Sequence, residues 1–153
     1  MSQSLSKIYI HIVFHIHTTA PDIRTTDADT LYAYIGGILR THDCIPIRLG
    51  GVGDHIHILC VLSRNMALAT LVQHIKTGSS LWIKTVDNAY YHTFAWQKGY
   101  AGFSVSPSLH DRTVAYIARQ PEHHQKVDFR DELRTFLKEY NIEYDEKYIW
   151  LDD

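Results

Sequence analysis

Residues 44–62 read CIPIRLGGVGDHIHILCVL, two apolar, β-prone runs on either side of a glycine-rich GGVGD. Such runs around turn residues predict a hairpin of two strands, Cys44 to Leu49 and His55 to Leu62. Toward the N-terminus, Lys7 to His17 alternates, with Ile8, Ile10, Ile12, Phe14 and Ile16 on one face and Tyr9, His11, Val13, His15 and His17 on the other. A period of two over this length predicts a strand with one buried face. Between these segments, Asp27 is expected to cap a helix whose Leu31, Tyr34, Ile35, Ile38 and Leu39 fall at helical spacing. Beyond the hairpin, Leu68, Leu71, Val72, Ile75, Leu81 and Trp82 mark a second helix, with a fraying point at TGSS (77–80). TFAWQKGYAGFSVS (93–106) predicts a strand bent near Gly99 and Gly102. Ser106 and Pro107 open a helix expected to reach Gln120, where Pro121 stops it. Asp128 caps a last helix with Phe129, Leu133, Phe136, Leu137 and Tyr140 on its apolar face.

The order strand, helix, two strands, helix, strand and two helices predicts an α+β domain. Its expected core is a ferredoxin-like (RRM-like) antiparallel sheet with helices packed on one face, followed by C-terminal helices. At 153 residues the chain is read as one domain, residues 1–153. It has no apolar run long enough to span a bilayer, no secretory signal pattern at its start, and only Cys44 and Cys60, outside any CxxC motif. A reducing cytoplasm is the expected location. The net charge of −2 argues against a global basic surface, so any nucleic acid must be held by local positive charge. The unusual count is histidine, eleven in the chain.

Histidine, isoleucine, histidine occurs twice, at His15–His17 in FHIHTT and at His55–His57 in GDHIHILC. On a strand, either copy points two imidazoles the same way, a start for a metal site. Residue types do not separate the copies, and both are equally read as histidines on a solvated strand face. Context favours the second: it follows a glycine-rich turn and Asp54, and its strand continues into the sheet, whereas the first runs out into Thr18, Thr19 and Pro21. A third ligand must come from elsewhere. Tyr116 and Gln120, four apart on a predicted helix, share a face and could reach one centre. Equally, they read as a core aromatic and a solvated helix end.

The combination of segments carries more. DHIHILC at 54–60, YIARQPEHH at 116–124 and FRDEL at 129–133, together with LYAYIGGILR, LGGVGDH, FAWQKGYAGFSVS, the helix around Lys76 and IEYDEKYIW, resemble in order the HUH-type single-tyrosine transposases, small enzymes that move insertion sequences as single-stranded DNA. The resemblance covers nearly the whole chain. It implies that His55, His57 and Gln120 hold a divalent metal, Mg2+ or Mn2+, and that Tyr116 is the nucleophile forming a 5′-phosphotyrosine with DNA. It further implies a bacterial or archaeal host and a homodimer in which the tyrosine helix of one subunit can complete the histidine site of the other. The expected partner is single-stranded DNA with hairpins near element ends. Lys7, Arg40, Arg48, Lys76, Lys84 and Lys98 are candidate phosphate contacts, each equally read as a solvated surface charge. His15 and His17 match no family motif and are read as a polar strand edge. Pro121 after Gln120, and Gly53 where the family more often has proline, are departures; Gly53 is expected to loosen the turn beneath the histidines. Three other readings remain open on the sequence: a domesticated relative that nicks repeated palindromes, a non-catalytic nucleic-acid-binding module, and a metal-dependent hydrolase that does not use the tyrosine.

Overall fold

The structure, a computed structural model, describes residues 2–150. The chain runs β1 (Ile8–His15), α1 (Thr25–Thr41), β2 (Ile45–Val52), β3 (His55–Leu62), α2 (Leu68–Val86), α3 (Asn88–Tyr91), β4 (Ala101–Val105), α4 (His110–Ala118), α5 (Gln120–His123), α6 (Phe129–Glu139) and α7 (Glu146–Ile149). The four strands pair in the order β2-β3-β1-β4, every pair antiparallel, which is the expected ferredoxin-like sheet.

Each face of the sheet is covered. Ile12, Phe14, Ile56, Ile58 and Cys60 pack with Leu31, Ile35 and Leu39 of α1 and Leu71, Val72 and Ile75 of α2 in the main core. On the other face Val13 and Phe103 meet Phe129, Leu133 and Leu137 of α6, and Leu59 and Val105 meet Ile117 of α4. The expectation that β1 buries only one face is therefore corrected: His11, Ile12, Val13 and Phe14 are all buried. The alternation gave the two faces correctly, but the C-terminal helices return to cover the one bearing Tyr9, His11 and Val13.

Several boundaries also differ from the sequence reading. β2 runs through the first two glycines of GGVGD, so the hairpin turn is only Gly53 and Asp54, with Val52 opposite His55. This turn is pinned, not loosened: Gly53 O accepts from Ile23 N at 2.8 Å and Asp54 O from Ile16 N at 2.9 Å. α1 begins at Thr25, one turn earlier than an Asp27 cap would allow; Asp27 instead accepts from Arg24 and from the Tyr91 hydroxyl. α2 passes unbroken through TGSS, where Ser79 Oγ donates to Ile75 O at 2.6 Å. β4 is limited to Ala101–Val105, and of the preceding segment Trp96 makes one isolated bridge to Ile16. The helix expected over 107–120 is a 3-10 turn at Pro107–Leu109, then α4 to Ala118, then a break at Arg119 (φ −98°, ψ 14°) before α5. Pro121 lacks the N–H that would continue α4, and its ring cannot pack against the carbonyl of residue 117 in a straight helix. Asp128 caps α6 as expected, accepting from Asp131 N at 2.9 Å.

The second layer reaches the sheet through Gly50. A Cβ there would lie 2.7 Å from Ile117 O and 2.9 Å from Ile117 Cγ2, so only glycine lets the end of α4 sit directly on β2. Gly50→Ala is expected to lower stability by about 1–3 kcal/mol through this backbone clash. Urea unfolding of the two proteins measures it, and a difference within error would show that α4 does not bear on β2.

Candidate functional site

Antiparallel registry sets His15 opposite His55 and Val13 opposite His57, so the two His-Ile-His copies meet only at His15 and His55 and run from there in opposite directions. His55 and His57 are completely buried. Each imidazole is anchored at the ring nitrogen that faces away from the site. His55 Nδ1–H donates to Asp54 Oδ1 at 2.7 Å. His57 Nδ1 pairs with His11 Nε2 at 2.8 Å, a diagonal neighbour on the same face of β1. Such partners fix the tautomer and direction of the nitrogen left to act as ligand.

The opposite ring nitrogens converge on the C-terminal helices. His55 Nε2 faces Gln120 Oε1 at 3.1 Å, and His57 Nε2–H donates to Glu132 Oε1 at 2.8 Å. The other oxygen of Glu132 accepts from the Tyr116 hydroxyl, from Gln120 Nε2 at 3.2 Å and from His124 Nε2 at 3.1 Å, and lies 3.1 Å from His123 Nε2. His55, His57, His124 and Glu132 each offer one donor atom, all within 4.8 Å of one another. Tyr116 and Gln120 thus do reach one centre, although the break at Arg119 puts them on successive short helices and not on one straight face.

Burial and hydrogen bonding tune the set. Burial pushes His11 down to about 3, an effect that neighbouring His57 reinforces, so His11 is a neutral ring. His57 is likewise lowered by burial, against the opposing hydrogen bond to Glu132. For Glu132, burial works to raise the pKa, but the hydrogen bond and charge interaction with His57 and the Tyr116 hydroxyl outweigh it and hold the group below the carboxylate range. Tyr116 is raised above the ordinary phenol value by burial and then by its bond to Glu132, so its oxygen carries a proton in this arrangement.

The donor set fits a cation. Gln120 Nε2 is committed to Glu132, which leaves Oε1 toward His55; with Nδ1–H donating to Asp54, a neutral His55 presents a lone pair at Nε2. Two acceptors facing each other at 3.1 Å require either a proton or a metal ion between them.

The first His-Ile-His copy is not a solvated edge. His15 packs against Phe129 of α6, with ring centroids 5.0 Å apart, and His15 and His17 line a cavity of about 360 Å³ with Asp54, Asp128 and Trp150. It remains outside the donor cluster because its strand ends where the site begins. Of the candidate phosphate contacts, Lys7, Arg40, Arg48 and Lys98 are exposed. Lys76, Lys84 and Lys98 line one groove of about 420 Å³ with Trp96 and Tyr100, on the α2 side of the sheet away from Tyr116. Lys76 Nζ is engaged within that groove, donating to Gln97 O, Lys98 O and Gly99 O at 2.6, 3.1 and 2.7 Å. Sequence reasoning gave no role to His11, His124 or Glu132. The legible signal was Glu132, a carboxylate set within the apolar stripe of Phe129, Leu133 and Phe136.

The sequence profile described as IS200-like transposase matches residues 4–120. Among solved structures, the chain is similar to a proposed transposase from Deinococcus radiodurans, with 16% identity, a TM-score of 0.61, and coverage of 78% of this chain and 98% of that one. It is also similar to a REP-associated tyrosine transposase bound to a REP hairpin, with 16% identity, a TM-score of 0.59, and coverage of 83% and 76%. At this identity the two structures establish the fold. No curated protein matches the chain.

Neutral burial of His11 gives a stability signature. The folded ring stays uncharged down to about pH 3, whereas the unfolded chain takes up the proton near the ordinary 6.5. Stability is therefore full above about pH 6.5 and falls with decreasing pH by about 1.4 kcal/mol per unit for such a histidine. Unfolding of chelator-treated protein at pH 7.5 and 5.5 is expected to show this loss, and His11→Gln to reduce it. Equal slopes in the two proteins would mean that His11 is charged in the folded state.

Proposed function

Because the chain belongs to the IS200-like transposase family, we propose that it cleaves and rejoins single-stranded DNA through a covalent bond between Tyr116 and a DNA 5′-phosphate, assisted by a divalent metal. The observation that carries this reading is the convergence of the Tyr116 hydroxyl, Gln120, His55 and His57 around one buried carboxylate.

His55, His57 and Gln120 would hold the metal, Mg2+ or Mn2+, with Asp54 and His11 fixing the two rings from behind. Bound there, the ion polarises the scissile phosphate and offsets its negative charge. Tyr116 Oη attacks phosphorus, its proton leaving along the hydrogen bond to Glu132 Oε2. The new bond joins Tyr116 Oη to phosphorus, the bond from phosphorus to the 3′-oxygen breaks, and that oxygen departs as a 3′-hydroxyl after protonation. Because the phosphotyrosine retains phosphodiester energy, a 3′-hydroxyl of another strand can attack it and restore Tyr116, so strand transfer needs no ATP. The DNA is taken to be single-stranded with hairpins at the element ends, a reading supported by the hairpin held by the similar REP-associated transposase. Lys7, Arg40, Arg48, Lys84 and Lys98 remain the proposed phosphate contacts; Lys76 would serve by shaping the loop at 97–99.

Incubation with single-stranded DNA and Mn2+ is expected to give a denaturation-resistant protein–DNA adduct, absent with Tyr116→Phe and with His57→Ala and retained with His17→Ala. Metal-dependent cleavage that survives Tyr116→Phe would replace this reading with a hydrolase.

The protein is proposed to be a homodimer whose sites each work within one chain, a reading supported by the reach of the Tyr116 hydroxyl to Glu132 beside His57. Mixing Tyr116→Phe with His57→Ala protein is therefore expected to restore no adduct. Recovery of a substantial fraction of wild-type adduct would establish exchange of the tyrosine helix between subunits.

A further inference from the structure

Glu132 is the only buried acid among the described residues, and its two oxygens face different chemistry. Oε1 lies 2.8 Å from His57 Nε2 and 3.7 Å from His55 Nε2, while Gln120 Oε1 stands 3.1 Å from the same His55 nitrogen. Donors sharing one ion through bonds of about 2.1 Å are spaced by about 3.0–3.4 Å in octahedral or tetrahedral arrangements. These three separations each lie within some tenths of an ångström of the spacing between donors that share one ion. Oε2 turns the other way, to the Tyr116 hydroxyl, Gln120 Nε2 and His124 Nε2.

Charge points in the same direction. Among the described residues, Glu132 makes ion-pair contacts only to His55, His57, His123 and His124, with no lysine or arginine reaching it. Those four imidazoles are its charge partners, and a buried anion with no permanently charged partner is costly. A cation beside Oε1 supplies what the protein groups lack.

We propose that Glu132 is a metal ligand through Oε1 while Oε2 positions Tyr116, and that the resulting donors, two imidazoles, a carboxylate and an amide oxygen, take a first-row transition ion of the Mn2+, Fe2+ or Zn2+ class in preference to Mg2+. This rests on the metal reading of His55, His57 and Gln120 given above. Imidazole nitrogens raise affinity for transition ions, and two histidines with one carboxylate are a set such ions accept with positions left open. Mg2+ prefers oxygen donors and retains its waters. With Glu132 included, the site is complete before DNA arrives, and one carboxylate links the ion to the nucleophile.

The test uses chelator-stripped full-length protein without DNA, titrated with Mn2+ and followed by electron paramagnetic resonance. Wild type is expected to bind Mn2+, with Mg2+ displacing it only at concentrations about 100-fold higher or more. Glu132→Gln, which keeps the size of the side chain and removes its charge, is expected to weaken Mn2+ binding at least tenfold, about the size of effect that loss of even an outer-shell partner produces. A second measurement needs no variant: electron–nuclear double resonance on Mn2+-loaded wild type carrying carboxylate-13C glutamate is expected to show a 13C coupling. The proposal is overturned by Glu132→Gln binding within twofold of wild type, by absence of the 13C coupling, or by displacement at equal Mg2+ and Mn2+ concentrations. None of these readouts involves DNA. Metal binding through Glu132 without any DNA adduct would overturn the transposase reading alone, and adduct formation with unchanged Mn2+ binding in Glu132→Gln would overturn this proposal alone.

Discussion

The carboxylate of Glu132 is charged, buried and shared among elements that are far apart in sequence. A buried anion persists only where donors converge on it, and here they come from β3 through His57, from α4 through Tyr116, from α5 through Gln120 and from the segment after α5 through His124. Satisfying one side chain therefore fixes where each of those elements ends and how it approaches the sheet. The break at Arg119 is part of the same solution. A straight helix from Pro107 to Gln120 would carry Gln120 past the carboxylate, whereas two short helices turn both Tyr116 and Gln120 onto it.

The sheet is asked to do two different things on its two faces. Toward α1 and α2 it is an ordinary apolar core of isoleucine, phenylalanine and leucine. Toward α4 and α6 it carries His11, His55 and His57 among apolar neighbours, a face polar enough to need partners yet buried enough to exclude water. His57 resolves that conflict by bonding at both ring nitrogens, and His55 by bonding Asp54 at one and facing Gln120 Oε1 with the other. That last arrangement, His55 Nε2 against Gln120 Oε1, calls for a proton or a cation between the two atoms.

The two His-Ile-His copies illustrate how far local pattern reaches. Asp54 and the hairpin turn were enough to prefer the second copy, and that preference agrees with its place in the donor cluster. From the sequence the first copy reads as a polar strand edge, because nothing in FHIHTT announces that Phe129, more than a hundred residues on, packs over His15. The same blindness left His11 without a role, since its partner His57 is brought alongside only by strand pairing.

The sequence by itself determined the alternation and order of elements, hence the sheet, and through the motifs at 54–60 and 116–124 it named His55, His57, Tyr116 and Gln120. The alternation is a property of local periodicity, which a linear reading captures, and the four residues are candidates that the family resemblance of those motifs implies. What only the tertiary structure decided was which face of β1 the later helices would cover, where the tyrosine helix would break, and that Glu132 would be the atom-level meeting point of the site. Those depend on contacts between residues separated by tens of positions, where burial and hydrogen-bond satisfaction, and not residue type, select the partner.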